Sequence, residues 1–250
     1  MLSVIACAAL LAACASAPRE RPPVIPAPSP LFEFRSDFWV NLHHFLYARS
    51  RVRQGMDARR PALLHVAADT AGFGALPDDA RRGWERALAV YDTVLSRRDI
   101  TFDSAAVELA YALAGRGAEP LDAAWWRASP LRERVRAALE DAAPAYRAAL
   151  WARHDSANRA WVAEHDALLR QYADTLARQL ARTYRWPWPG EPIPVEVVAF
   201  AQWAGAYAVE HPSLLTLQSV YELHRGTLGL EQLFHEASHL LMDSVDAAMR

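Results

Sequence analysis

The feature that most restricts the fold is a long helical pattern that ends at a strong helix breaker. Within residues 145–185, apolar side chains recur at spacings of three, four and seven, as on one face of an α-helix. The pattern stops at Trp-Pro-Trp-Pro-Gly, residues 186–190, because proline interrupts helical hydrogen bonding and glycine favours turns. We therefore predict one long helix here and a largely helical body around it.

Shorter helical patterns flank this segment. Ser36 is the expected N-cap of the first helix, and Pro77 suits the start of another because its fixed φ is helical. The predicted helices are residues 36–50, 62–76, 77–97, 104–115, 121–143 with a break at Ser129-Pro130, and 228–249.

The character of the chain changes after the helix breaker. Three short segments bounded by proline or glycine follow, and the first is rich in valine, which favours strands. The predicted strands are residues 193–200, 204–210 and 213–219. Together these patterns predict an α+β fold that is mostly helical, with a sheet of about three strands just before the last helix.

The N-terminus has the pattern of an export signal. Residues 2–13 are almost wholly apolar and too few to span a bilayer, which is typical of a signal-peptide core. They end at Leu-Ala-Ala-Cys, with Cys14 placed as in the lipobox of bacterial lipoproteins. We predict a signal over residues 1–13, a lipid on Cys14 and attachment to the cell envelope, facing the periplasm or cell surface. Ordinary cleavage after Ala17 is the alternative.

Residues 14–30 are predicted to be a tether, because they hold six prolines between Pro18 and Pro30 and cannot form a helix or a central strand. Residues 31–250 then form one domain, which we expect to be incomplete at its C-terminus. The net charge of the whole chain is −2, so no basic surface predicts binding to nucleic acid.

The last predicted helix carries His-Glu-Ala-Ser-His, residues 235–239, which is an HExxH motif. His235 and His239 are four residues apart, so both imidazoles lie on one helix face and can bind one zinc ion at about 2.0–2.1 Å. Glu236 can hold a water molecule that the metal activates and accept its proton. The motif therefore predicts a zinc site with two histidine ligands and a glutamate base.

The surroundings of the motif support this interpretation. Apolar residues at helical spacing flank it, and short strands precede it. An edge strand in this position can pair with an extended peptide, and we expect residues 213–219 to be that strand. The alternative is an accidental motif, with two histidines and a glutamate on the polar side of an amphipathic helix.

Three segments resemble uncharacterised bacterial proteins of the gluzincin-like metallopeptidase type: Leu230–His239, Phe34–Phe38 and His154–Arg159. The resemblance extends over most of residues 31–240. It implies that His235 and His239 bind zinc and that Glu236 is the catalytic base. It also implies a third ligand, a glutamate or similar residue, on a later helix.

The chain departs from this pattern after the motif. Asp243 is two helical turns from His235, about 12 Å along the axis, so it cannot readily join both histidines on one zinc. Either the third ligand comes from upstream, or the chain is truncated, or the site is incomplete; we expect truncation. The upstream candidates are Glu210, His211, Glu222 and His224.

One more set of polar residues could belong to the site. His154 and Asn158 share a helical face with Trp161 and His165. They could surround the metal ligands and orient them, or they could form an ordinary buried polar seam.

Two functions follow from these patterns. The first is a zinc metallopeptidase of the cell envelope that hydrolyses peptide or protein substrates, with Glu236 as general base. The second is a non-catalytic envelope lipoprotein, a helical binding module whose motif is incomplete or accidental.

Overall fold

A computed structural model describes residues 25–26, 29–116, 120–121, 123–210 and 213–242. The predicted α+β fold, mostly helical with a small sheet, is confirmed. The helices are α1 (Phe38–Arg53), α2 (Asp78–Val94), α3 (Ser104–Leu113), α4 (Ala123–Trp126), α5 (Pro130–Tyr146), α6 (Ala152–Tyr184) and α7 (Gly226–His239). The strands are β1 (Phe32–Arg35), β2 (Ile193–Val198), β3 (Ala206–Val209) and β4 (Leu214–Gln218).

The four strands form one mixed sheet in the order β1-β2-β4-β3. β1 and β4 pair with β2 in parallel, and β3 pairs with β4 antiparallel. The strand β1 was not predicted, because its four residues carry little pattern of their own. The expectation that residues 213–219 form the edge strand is wrong: β4 lies inside the sheet, and β3 is the edge nearest to α7.

Helices cover both faces of the sheet. On one face, Phe34, Val195 and Leu217 pack with residues of α6 and α7, including Trp161 and Leu233. On the other, the ends of β2 and β3 join the larger core formed by α1, α2, α3 and α5. The central strands β2 and β4 are buried on both faces, so they are mostly apolar, whereas β1 alternates buried phenylalanines with half-buried charged residues.

The long helix differs from its prediction at the N-terminal end. Helical structure begins at Pro130 and continues past Pro144 and through a π-helical turn at Arg147–Trp151 into α6. A wider turn close to an internal proline is physically consistent, since proline removes one backbone donor from the ladder. The predicted end is confirmed, with Arg185 in the left-handed region at the C-cap.

Two helical predictions near the N-terminus need correction. The N-cap of α1 is Asp37 rather than Ser36, because the Asp37 carboxylate accepts a hydrogen bond from the Trp39 amide at 3.1 Å. Residues 62–76 form 3-10 turns at Pro61–Leu63 and Phe73–Ala75 instead of a helix. Gly72, at a φ of 85°, interrupts the helical conformation between them.

The predicted last helix is shorter than expected. α7 ends at His239, and the next residues turn tightly, with the Leu241 and Met242 amides donating to the carbonyls of Ser238 and His239. The predicted continuation toward residue 249 is therefore wrong at 240–242. Asp243 lies outside the described residues.

The predicted tether is partly packed on the domain. Ile25 is buried, and its amide donates to the Phe34 carbonyl at 3.0 Å, so this residue lies beside β1. Cys14 and the predicted signal lie outside the described residues. Within the described part of the chain, no helix is both long and apolar enough to cross a membrane.

Candidate active site

The motif helix α7 is held by its apolar face. Leu230, Leu233 and Ala237 are buried against the sheet, and Phe234 meets the ring of Phe32 edge-on at 5.3 Å. These contacts fix the rotation of the helix about its axis.

Two glycines allow α7 to approach its neighbours closely. Gly229 lies against the backbone of His224 and the imidazole of His165, and Gly205 lies against the rings of Tyr221 and His224. Gly205 also has a φ of 81°, which disfavours other residues. The Gly229 contact holds α7 close to α6, and the Gly205 contact holds the residue before β3 close to the turn that precedes α7.

Gly229→Ala is expected to destabilise the protein by about 1–3 kcal/mol, the usual cost of overpacking. An added Cβ would lie 2.3 Å from both the His165 Nε2 and the His224 carbonyl oxygen, and the backbone cannot move aside cheaply. Urea unfolding measures the change. Gly190→Ala is the matched control, because nothing lies within 4 Å of its Cβ position. Equal free energies of unfolding for the two variants would contradict the packing described here.

The two motif histidines are arranged as a pair. Their ring centres are 5.1 Å apart and their planes are perpendicular. Two imidazoles on one tetrahedral zinc have ring centres about 5 Å apart, because each ligating nitrogen lies about 2.0–2.1 Å from the metal. His235 is exposed and His239 is half-buried. Burial, followed by the charge of His235, lowers the pKa of His239, and a neutral imidazole is the form that binds zinc.

Glu236 differs from both histidines in its environment. Its side chain is buried, with a residue exposure of 7%. Its Oε1 accepts a hydrogen bond from the side-chain amide of Gln232 at 2.6 Å. Burial raises the pKa of Glu236 above its ordinary value, while His235 and Gln232 oppose the shift. A buried carboxylate held by one donor still has acceptor positions for a proton.

Glu236 and His239 line a cavity of about 400 Å³ beside the edge strand β3. Thr101, Phe102 and Val107 line another side, and Gln202 and Trp203 lie at one end. The cavity therefore joins Glu236 and His239 to the edge of the sheet, whereas His235 lines a separate cavity with residues of α6 that include Leu176 and Leu180.

The register of β3 determines which backbone groups face this cavity. The backbone amide of Gln218 donates to the Gly205 carbonyl. Because the pattern alternates along an antiparallel pair, the N–H and C=O of Tyr207 also point toward β4, and those of Ala206 and Ala208 point away from it. The Ala206 carbonyl accepts a hydrogen bond from the Gln202 side chain at 3.0 Å. Ala208 is then the residue within β3 whose outward N–H and C=O suit pairing with an added strand.

The structure does not bring His154 and Asn158 to the motif. His154 bonds through its two ring nitrogens to Asp69 at 2.9 Å and Tyr146 at 2.8 Å. Asn158 donates to Ser36 and Asn41 and accepts from Ser219. Both residues are buried; the Asn158 bonds connect α6 to α1 and to the residue after β4, and the His154 bonds connect it to α5 and the loop at Asp69. The geometry matches the buried-seam alternative.

The described upstream residues Glu210, Glu222 and His224 do not complete a metal site. His224 is buried, and its Nδ1 lies 3.0 Å from the Gln218 carbonyl. Glu210 lines the cavity, Glu222 lies in the 3-10 turn Glu222–His224, and His211 lies outside the described residues. Among the described residues, no three His, Cys, Asp or Glu side chains are grouped to hold a metal. The donor types and the ring separation are compatible with zinc, and His235 and His239 are two candidate ligands.

Sequence reasoning missed several residues at this site. Gln232 precedes Glu236 by four residues, so helical spacing could have identified it. Phe102, Ala208 and Trp203 are brought together only by the fold.

No family model, no curated protein sequence and no solved structure matches the chain.

Proposed function

We propose that the protein is a zinc-dependent metallopeptidase, with His235 and His239 as zinc ligands and Glu236 as general base. One observation carries the proposal. The paired imidazoles and the buried Glu236 lie on one helix, and Glu236 and His239 open into a cavity that runs beside an antiparallel edge strand. Metal ligands, a base and a backbone edge for an extended peptide are the parts that peptide hydrolysis needs.

The proposed mechanism assigns a step to each of these groups. When bound, zinc supplies Lewis acidity that polarises the peptide carbonyl and lowers the pKa of water. Glu236 accepts the proton of the attacking water and then donates it to the leaving amine. Gln232 holds the Glu236 carboxyl group in place through its 2.6 Å hydrogen bond. The outward N–H and C=O of Ala208 align the substrate backbone beside the base.

Zinc binding is the first experimental test. In metal-free buffer, excess zinc should raise the Tm of the full chain, because a ligand that binds the native state stabilises it. His239→Ala should abolish the increase, and His65→Ala, an exposed histidine outside the motif, should keep it. With two described ligands, we expect dialysis to remove the zinc, since catalytic sites usually have three.

Two outcomes would change the proposal. An unchanged Tm at every zinc concentration would remove the enzyme interpretation and favour the non-catalytic binding lipoprotein. Stoichiometric zinc that survives dialysis would contradict a two-ligand site and direct the search for a third ligand to residues outside the described ranges.

We also propose that the protein is exported and anchored to the envelope by a lipid on Cys14. The support is the apolar run of residues 2–13 that ends in Leu-Ala-Ala-Cys. Cys14→Ser should release the protein from membranes, because an acyl chain contributes about 0.8 kcal/mol of binding per buried CH₂. Intact mass spectrometry of the mature protein is the measurement, and an unacylated N-terminus at Pro18 would show simple secretion instead.

A further inference from the structure

Two large apolar side chains lie at the cavity with much of their surface in water. Phe102 is 83% exposed and Trp203 is 38% exposed, and both line the cavity that contains Glu236 and His239. The guanidinium of Arg60 lies 4.9 Å from the Trp203 ring centre and positions the indole through a cation–π contact.

Apolar side chains also line the interior of the cavity, together with the carboxyl groups of Glu210 and Glu236. Val107 on α3 and the small Ala206 and Ala208 on β3 leave room between the strand and the Thr101–Val107 segment. The space of about 400 Å³ lies within the size range of ligand pockets. An aromatic side chain that enters it would meet Phe102 and Trp203, and aromatic pairs attract beyond the area that they bury.

The backbone edge alone offers little selectivity. Gln202 already binds the Ala206 carbonyl, so Ala208 is the β3 residue that keeps both of its outward backbone groups for an added strand. Backbone pairing also does not depend on the substrate side chains. Discrimination between peptides must therefore come from the side chain that enters the cavity.

We infer that the cavity is the specificity pocket of the proposed peptidase, and that it accepts a large apolar side chain, with aromatic residues preferred. Phe102 and Trp203 are its specificity-determining residues. This inference rests on the proposed function for the identity of the ligand as a peptide. It makes a separate claim about binding, which can be measured without hydrolysis.

The test is the binding of two labelled peptides to the full chain. The probes are fluorescein-labelled Gly-Ala-Phe-Ala-Gly and Gly-Ala-Ala-Ala-Gly, and fluorescence anisotropy is measured on Glu236→Gln in excess zinc chloride, so that neither peptide is consumed. The phenylalanine peptide should bind about 10- to 100-fold more tightly, which is the selectivity that an apolar pocket supplies. Phe102→Ala and Trp203→Ala, made in this background, should each reduce that ratio several-fold.

Matched controls separate the pocket from general surface effects. Tyr111→Ala and Trp186→Ala remove aromatic residues that are 44% and 49% exposed and do not line the cavity, so the ratio should not change. Ala208→Pro removes an outward N–H from an edge strand, which tolerates proline there, and should weaken both peptides alike. Circular dichroism of each variant verifies that it is folded.

The outcomes distinguish this inference from the proposed function. Equal binding of the two peptides, or a ratio that survives both Phe102→Ala and Trp203→Ala in folded variants, would overturn the specificity pocket. A clear preference that Phe102→Ala and Trp203→Ala reduce would support it, even if the wild-type chain hydrolyses neither peptide. In that case only the proposed enzymatic activity would fail.

Discussion

Replacing Glu236 by Gln is expected to lower the rate of peptide hydrolysis by about 10²- to 10⁴-fold, which is the usual contribution of a general base. Glutamine has nearly the same shape as glutamate, but its amide cannot accept the proton of the attacking water. Glu236 is not a predicted zinc ligand, so the affinity for zinc should be unchanged. Initial rates with a fluorogenic peptide in excess zinc measure the effect.

The control for this experiment lies on the same helix. Glu231→Gln makes the same chemical change at an exposed position of α7, five residues before Glu236, and its rate should equal that of the wild type. Hydrolysis by Glu236→Gln at the wild-type rate would remove Glu236 from the mechanism. A wild-type chain without activity in excess zinc would contradict the metallopeptidase proposal itself.

The second large effect is expected at Glu196, a fully buried carboxyl group on β2. Its Oε1 accepts a hydrogen bond from the Gly115 amide at 3.3 Å, and its Oε2 has no partner among the described residues. Burial, followed by the nearby carboxylate of Asp37, raises the pKa of Glu196 to about 8, while Arg35 and the backbone amides of Gly115 and Asp37 oppose the shift. The protonated form is therefore favoured in the folded protein.

The sign of the pH dependence follows from this shift. A raised pKa in the folded state stabilises the fold fully below the unfolded value of 4.5, and this stability is lost as the pH rises toward 8. Across this range the stability lost through Glu196 grows by up to about 1.4 kcal/mol per pH unit. Glu196→Gln remains neutral and keeps an acceptor for Gly115, so it should be more stable than the wild type above pH 8.

Urea unfolding at a series of pH values measures this difference. The curves for Glu196→Gln and the wild type should converge near pH 4 and separate as the pH rises. Glu191→Gln, at an exposed position just before β2, should follow the wild type at every pH. Parallel curves for the wild type and Glu196→Gln would show that Glu196 is ionised in the folded state with a compensating partner.

Local patterns predicted the elements of this protein well where the signal lies within one segment. The long α6 and its end at Arg185 follow from apolar spacing and the prolines that come next. The spacing of His235 and His239 predicted two rings on one face, and they are 5.1 Å apart. Helical periodicity is a property of consecutive residues, so these features can be read without knowledge of the rest of the chain.

The sequence patterns did not predict features of the sheet that depend on contacts between distant segments. β1 has only four residues, and its pairing with β2 at Ile193 is what makes it a strand. The identity of the edge strand also depends on pairing. β4 follows β3 in the chain but pairs with both β2 and β3, so β3 is left at the edge. Hydrogen bonds between strands join residues far apart in sequence, and one segment does not specify its partners.

The candidate site likewise has features that follow from local sequence and features that follow only from the fold. The sequence by itself determined the arrangement on which the proposed metal binding depends, because His235, Glu236 and His239 occur within one and a half turns of a helix and their relative positions follow from helical geometry. Only the tertiary structure decided what faces Glu236: the edge at Ala208, the rings of Phe102 and Trp203, and the burial that raises the pKa of Glu236. These side chains come from three separate segments, so their meeting depends on the packing of α7 against the sheet through Leu233 and Ala237 and against α6 at Gly229.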